Sequence, residues 1–179
     1  SVWGLPEGNL SVWVAPGGTG KSRALIELAK SVSSVMPPGS KGERRYSVLY
    51  FQGEAPLGEF KSWATKGGIE MDPNFFMVSD ANTLTSQLRA IRDMNNSGMG
   101  PNLVIVDSIN MLQEFGNGTK AAMTEIIMGA EGREGYKGVA REVGCHVIFV
   151  SQTNKNGDAS GSNSLPHLVD QTFYVEKER

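Results

Sequence analysis

The segment from Ala15 to Ser22 reads APGGTGKS and combines flexible backbone with a cation and a hydroxyl group. Its three glycines allow successive backbone N–H groups to turn inward around phosphate oxygens. Lys21 can reach the β- and γ-phosphates of a nucleotide, and Ser22 can offer a hydroxyl ligand to Mg²⁺. A strand-like run precedes the segment and a helical pattern follows it, which is the context that a phosphate-binding loop needs. The alternative interpretation is a glycine-rich turn with a solvated lysine.

We predict that this P-loop segment binds ATP together with Mg²⁺. The first turn of the helix that follows adds a partial positive charge beside the phosphates. The predicted nucleotide-binding residues are Ala15, Pro16, Gly17, Gly18, Thr19, Gly20, Lys21, Ser22 and Arg23.

Two carboxylates follow apolar runs and could complete such a site. Asp107 ends the run LVIVD, which is the Walker B form, and we predict that it holds Mg²⁺ directly or through water together with Ser22. Glu54 follows the run ending in YFQG, and ligands of parallel sheets bind at the carboxyl ends of strands. We therefore predict that Glu54 orients the attacking water as general base. The alternatives are a turn residue for Asp107 and a solvated helix-opening residue for Glu54.

Gln152 ends a third apolar run, and we predict that its amide senses the γ-phosphate and reports hydrolysis to the following loop. The predicted catalytic residues are thus Glu54, Lys21 and Gln152. The run from Lys155 to Ser164 is rich in glycine and serine and predicts a mobile loop. Contact with single-stranded nucleic acid, contact with a neighbouring subunit and a plain surface hairpin all remain open for this loop, and a polar strand end remains open for Gln152.

Three other side chains could bind a metal or react as a nucleophile, but their positions in the sequence do not match such a site. His146 and His167 have no metal-ligand spacing, so we predict structural roles for both. Cys145 is predicted to be a small core residue rather than a reactive thiol.

The elements that must position these residues alternate between strands and helices. Apolar runs predict six strands, at Leu10–Val14, Tyr46–Phe51, Phe75–Val78, Leu103–Val106, Cys145–Val150 and Gln171–Val175. Helical spacing predicts one helix from Lys21 to Val35, stopped by two prolines, and a second over Leu84–Met94, ended near Gly98. A third pattern runs from about Ala121 towards Val143. Because it contains Gly129, Gly132, Gly135 and Gly138, each costing about 1 kcal/mol in a helix, it predicts an interrupted helix or a loop.

This alternation predicts an α/β fold with a mostly parallel central sheet and helices on both faces. The length of 179 residues fits one domain, and no apolar run is long enough to span a membrane. The single cysteine excludes an internal disulfide and favours a reducing compartment, so we expect a cytoplasmic location. The first residues lack the basic start and apolar core of a signal peptide. The chain starts at Ser1 without a methionine, so we expect an excised or truncated core. The net charge of −2 argues against a broadly basic surface.

The ordered motifs resemble the RecA-type ATPase core of the bacterial RadA/Sms recombination proteins. They are APGGTGKS, VLYFQGEA, LVIVDSINML, VIFVSQTNKNG and LPHLVDQTFYVE, and the resemblance runs from about Leu5 to Glu176. It implies a RecA-like P-loop NTPase fold over residues 1–179, ATP and Mg²⁺ as cofactors, a homo-oligomeric ring of six subunits in the full-length protein, and single-stranded DNA in its channel. It also implies DNA contact by the loops over Phe115–Lys120 and Thr153–Ser164, which include the candidate residues Lys120, Thr153, Asn154 and Lys155.

The sequence departs from that family in the strand end SQTN, which looks more like replicative DnaB-type helicases and RecA itself. This departure indicates a divergent relative, with a viral origin among the possibilities. The family's zinc module and protease-like domain are not in the chain, and neither is the lysine- and arginine-containing motif that follows the core. Two other functions remain open: a DnaB-type replicative helicase domain, and a nucleotide-dependent switch of the KaiC type with no DNA role.

Overall fold

The computed structural model describes residues 4–16, 20–39, 45–53, 74–153 and 164–175. Within these ranges, six strands form the central sheet: β1 (Leu10–Pro16), β2 (Val48–Gln52), β3 (Phe75–Val78), β4 (Leu103–Asp107), β7 (His146–Thr153) and β8 (Gln171–Tyr174). Every described pairing between them is parallel. The six predicted strands are therefore all present in one sheet; β3 has the predicted bounds, and no end of the other strands differs from the sequence prediction by more than three residues.

The helices within the described ranges lie between these strands. They are α1 (Lys21–Ser33), α2 (Leu84–Met94), α3 (Lys120–Met128), α4 (Tyr136–Val143) and the short α5 (Leu165–Leu168). A two-stranded hairpin, β5 (Gly129–Ala130) and β6 (Arg133–Glu134), separates α3 from α4. One turn of π-helix over Asn95–Met99 follows α2, and two turns of 3₁₀-helix over Ile109–Met111 and Gln113–Phe115 follow β4.

The strands stand in the order β3-β2-β4-β7-β1-β8. The two strands that carry the predicted phosphate loop and Asp107 are thus not neighbours, because β7 lies between them. Parallel pairing requires each connection to return across a face of the sheet. Among the described residues, α1 lies in the connection from β1 to β2, α2 in that from β3 to β4, and α3 with α4 in that from β4 to β7.

Helices cover both faces of the sheet, as the sequence predicts. On one face, α1 buries Leu25, Ile26 and Ala29 against alternate residues of the strands, including Tyr50 and Ile105. The opposite face packs against α2, α3 and α4, whose buried side chains include Leu88, Ile126 and Val139. The apolar residues of β2, β4 and β7 are buried on both faces, which explains their continuous apolar sequences.

The first two helices follow the sequence prediction closely. Helix α2 has the predicted bounds and begins with a capping box, in which Thr83 and Ser86 bond reciprocally to each other's backbone N–H. Helix α1 ends at Ser33, before Val35, which is exposed. The prediction that α1 reaches Val35 was therefore wrong by two residues: the helix ends before the stop that we assigned to the two prolines.

The third pattern is an interrupted helix, and the glycines explain the interruption. Gly129 ends α3 with a φ of +88°, a conformation that residues with a side chain rarely adopt. Gly135 packs against the backbone of the preceding turn, since a Cβ there would lie 2.3 Å from the Gly129 nitrogen. Gly138, by contrast, lies inside α4 with open space around it.

Strand β8 is attached to β1 by a side chain as well as by the sheet. Asp170, just before β8, accepts a hydrogen bond from the Leu10 N–H through Oδ2 at 2.8 Å. This contact gives the aspartate of the LPHLVD motif a structural role at the start of the two strands. No helix in the described ranges is both long and apolar enough to cross a membrane.

Candidate nucleotide-binding site

The first turn of α1 lies directly after β1, in the position that a phosphate-binding loop requires. Gly20 precedes the helix with a φ of 78°, and its carbonyl accepts the first helical hydrogen bond, from the Ala24 N–H at 3.0 Å. The first turn contains no acidic residue, so nothing there opposes a bound anion. Lys21 is buried, with 7% of its surface exposed, and Ser22 is half-buried.

Three polar side chains at the ends of adjacent strands lie on the α1 face of the sheet. The register pairs Gln52 of β2 with Asp107 of β4, and Gln152 of β7 with Ala15 of β1. Side chains alternate between faces along a strand, and the residues two before each of these three, Tyr50, Ile105 and Val150, pack in the cluster beneath α1. The structure therefore brings Asp107 and Gln152 to the same edge and face as the N-terminus of α1.

Asp107 is 5% exposed, and its two carboxylate oxygens have different surroundings. Oδ2 accepts a hydrogen bond from the hydroxyl group of Tyr50 at 2.6 Å. Oδ1 is buried and has no hydrogen-bond partner among the described residues. The peptide bond from Asp107 to Ser108 is cis.

A buried carboxylate oxygen without a donor fits a hard cation, because Mg²⁺ takes oxygen ligands and usually retains waters. Asp107 and Ser22 are the residues that would hold Mg²⁺, which would neutralise charge on the phosphates of a bound nucleotide. In the part of the chain that the structure describes, no group of three or more histidine, cysteine, aspartate or glutamate side chains forms a separate metal site.

Several predicted residues lie outside the described residues: Gly17, Gly18, Thr19, Glu54, Asn154 and Lys155. Thr153 is described by its backbone alone, as the last residue of β7. The chain leading to Glu54 does reach the site, because the Gly53 N–H donates to the Asp107 carbonyl at 3.2 Å. The role of Glu54 as general base therefore stays a prediction.

The predicted DNA-facing loop after β4 is shorter than the sequence suggests. Phe115 is buried in the core at 7% exposure, so it is not available to a ligand. Lys120 is exposed and forms the first residue of α3, after Thr119, whose side chain accepts from the Ala122 N–H. The exposed part of this loop is therefore Gly116 and Asn117 together with Thr119 and Lys120.

The histidines and the cysteine have no place at this edge. His146 lies at the opposite end of β7, where its ring nitrogens contact Ser11 Oγ and the Pro6 carbonyl at 2.9 Å each. His167 is exposed at the end of α5. Burial raises the pKa of the Cys145 thiol to about 12, so the thiol stays protonated and unreactive at neutral pH.

Sequence reasoning missed two residues of this site. Gln52 pairs with Asp107 in register and is 4% exposed, and Tyr50 bonds to the Asp107 carboxylate. Both stand in the run VLYFQ, where a glutamine and a tyrosine hydroxyl inside a buried strand need polar partners. That requirement is the signal that could have drawn attention to them.

A parallel sheet with a GKS-bearing helix after one strand, and a buried aspartate two strands away, defines an α/β P-loop ATPase core of the RecA-like type. The sequence model of the family described as "AAA domain" matches residues 3–158, so the chain belongs to that family.

Curated relatives refine this assignment. The chain is 28% identical over 176 residues to "DNA repair protein RadA" of Bacillus subtilis, covering 98% of this chain and 34% of the relative. It is 27% identical over 180 residues to the protein of the same name from Mycobacterium tuberculosis, covering 98% and 33%. For the Brucella abortus protein, the identity is 26% over 163 residues, covering 90% and 32%. The chain is a RadA-like P-loop ATPase relative that spans about a third of the length of these proteins.

Proposed function

We propose that residues 1–179 form one RecA-like ATPase domain that binds and hydrolyses Mg-ATP and couples hydrolysis to single-stranded DNA during recombination or repair. The proposal rests on one observation: the start of α1, Asp107 and Gln152 lie at the same edge and on the same face of the central sheet. These elements come from distant parts of the sequence, and a nucleoside triphosphate with its cation would contact all of them.

Within the proposed site, each residue has a separate task. The backbone from Ala15 to Arg23 holds the phosphates, and Lys21 neutralises the β- and γ-phosphates. Ser22 and Asp107 hold Mg²⁺. Glu54 orients the attacking water, and Gln152 responds to loss of the γ-phosphate because it lies on the strand between those of the P-loop and Asp107.

The DNA and assembly parts of the proposal rest on relatives and on sequence position. The curated relatives are named as DNA repair proteins. We assign DNA contact to Lys120, which comes after β4 in the sequence, and to Thr153, the last residue of β7, with Asn154 and Lys155 next to it in the sequence. Assembly into a six-membered ring would align these segments around one strand.

An ATPase assay with and without single-stranded DNA tests the proposal. We expect hydrolysis to depend on Mg²⁺ and to rise with DNA, and DNA binding to weaken steeply with salt as phosphate contacts are lost. A hydrolysis rate that DNA does not change, together with no salt-sensitive binding, would contradict the DNA role and leave the ATPase assignment intact.

Glu54→Gln tests the general base. We expect this variant to bind ATP with the affinity of the parent chain and to lose at least about a hundredfold in turnover, within the usual contribution of general base catalysis. Glu59→Gln, which removes a second carboxylate five residues along the same segment, is the matched control. Hydrolysis by Glu54→Gln at the parent rate would exclude Glu54 as the base.

Two specific observations favour other members of the superfamily. The net charge of −2 favours a KaiC-type nucleotide switch that does not bind DNA. The Ser151-Gln152 pair at the end of β7 favours a DnaB-type helicase, for which strand unwinding is the distinguishing assay.

A further inference from the structure

The Asp107 carboxylate is buried at the end of a strand, where a free side-chain torsion would let either oxygen face the nucleotide. Tyr50 limits this freedom. Its hydroxyl donates to Oδ2 at 2.6 Å, within the distance of a strong bond between a hydroxyl group and a carboxylate. Since Oδ2 is engaged, Oδ1 is the oxygen left to face a cation, and it has no hydrogen-bond partner among the described residues.

Tyr50 is itself held rigidly. It is fully buried in the middle of β2, and its ring packs edge-on against Phe75 of β3 with centroids 6.0 Å apart. The register places Tyr50 opposite Ile105, two residues before Asp107 and on the same face of the sheet. Its hydroxyl group therefore reaches along β4 to the carboxylate from a fixed position.

We propose that Tyr50 is the positioning residue that turns Oδ1 of Asp107 towards the Mg²⁺ of the bound nucleotide. This inference rests on the proposed Mg-ATP site. In this proposal Tyr50 acts through the orientation of the carboxylate and not through contact with the nucleotide. Partners that orient a metal ligand typically contribute about 10- to 100-fold in metal affinity.

The test measures metal affinity directly, with Mn²⁺ as a spectroscopic substitute for Mg²⁺. ADP is bound to the protein, Mn²⁺ is titrated, and free Mn²⁺ is followed by electron paramagnetic resonance. For Tyr50→Phe we expect a Kd for Mn²⁺ about 10-fold above that of the parent. The affinity for ADP in excess chelator should be unchanged, because the hydroxyl group acts only through the cation.

Tyr136→Phe is the matched control. Tyr136 is also fully buried, and its hydroxyl donates to the neutral Gln87 in the core on the other face of the sheet. This variant loses a buried hydrogen bond without changing Asp107, so it should retain the parent's Kd for Mn²⁺. An equal rise in Kd for both variants would mean that Tyr50 acts only through stability and would overturn the inference.

A second pair of variants keeps the inference testable if Tyr50→Phe does not fold. Asp107→Asn removes the buried charge, and the double variant Tyr50→Phe with Asp107→Asn then leaves no carboxylate unpaired. If Tyr50 acts through Asp107, the double variant binds Mn²⁺ as Asp107→Asn does. A further loss in the double variant would overturn the inference.

The outcome also separates this inference from the proposed function. A parent chain that binds neither ADP nor Mn²⁺ would overturn the nucleotide site and the inference with it. A parent that binds both, with a folded Tyr50→Phe variant of equal Mn²⁺ affinity, would overturn the inference alone.

Discussion

Gly135 and Gly138 lie three residues apart, and we predict that the same substitution has opposite effects at the two positions. Gly135 has an extended backbone with a φ of −110°, which alanine adopts without strain. The obstacle is space: a Cβ would lie 2.3 Å from the Gly129 nitrogen and 2.6 Å from the Ile127 carbonyl oxygen. Both are backbone atoms at the end of α3, so the overlap can be relieved only by moving the start of α4 away from the end of α3.

Forced overpacking of this kind costs about 1–3 kcal/mol, and we expect Gly135→Ala to lower the free energy of unfolding by that amount. Gly138 lies inside α4, and apart from the helix's own backbone no atom of the described residues comes within 4 Å of a Cβ placed there. Gly138→Ala should therefore raise the free energy of unfolding by about 0.5–1 kcal/mol through helix propensity alone.

Denaturant titration of both variants beside the parent measures the two changes. At about 2–4 °C per kcal/mol for a chain of this size, Gly135→Ala should lower Tm by several degrees and Gly138→Ala should raise it by roughly 1–4 °C. A Gly135→Ala chain as stable as the parent would show that Gly135 does not approach the end of α3 as closely as described. A destabilised Gly138→Ala chain would refute the open space assigned to that position.

Two other predictions concern a buried histidine and a helix cap. Burial lowers the pKa of His146 below its ordinary value of 6.5, so below that pH the unfolded chain binds a proton that the folded chain does not, and stability falls as the pH falls. We expect His146→Gln to flatten this part of a stability-against-pH curve. An unaltered slope in this variant would contradict the effect of burial on His146. Thr83→Ala removes the acceptor for the Ser86 N–H at the start of α2 and should cost about 1 kcal/mol in denaturant unfolding. Thr85→Ala, an exposed change in the same first turn, is its control, and an equal loss in both variants would argue against the cap.

The sequence predicts local elements well where the driving force is local. Continuous apolar runs such as the one ending at Asp107 are recognisable because both faces of their strands are buried. The start of α2 follows from its cap and its apolar spacing. The end of α1 was less predictable, since the helix ends at Ser33, before either proline is reached.

The glycines at 129 and 135 show where pattern reasoning fails. The sequence indicates that a helix is unfavourable there, but a close approach between Gly135 and the end of α3 depends on how two helices pack. Likewise, the sequence places Phe115 in the predicted DNA-facing loop that follows Asp107, and only the tertiary structure shows that Phe115 is buried in the core.

The sequence by itself determined the phosphate-binding segment and the α/β class, because a glycine-rich loop with lysine and serine, and alternating strand and helix patterns, are properties of neighbouring residues. The tertiary structure decided which strands are neighbours. It inserted β7 between β1 and β4, brought Gln152 between the P-loop strand and Asp107, and set Tyr50 against the Asp107 carboxylate. These contacts join residues that are tens of positions apart, and they depend on the packing of whole strands and helices, which no local pattern encodes.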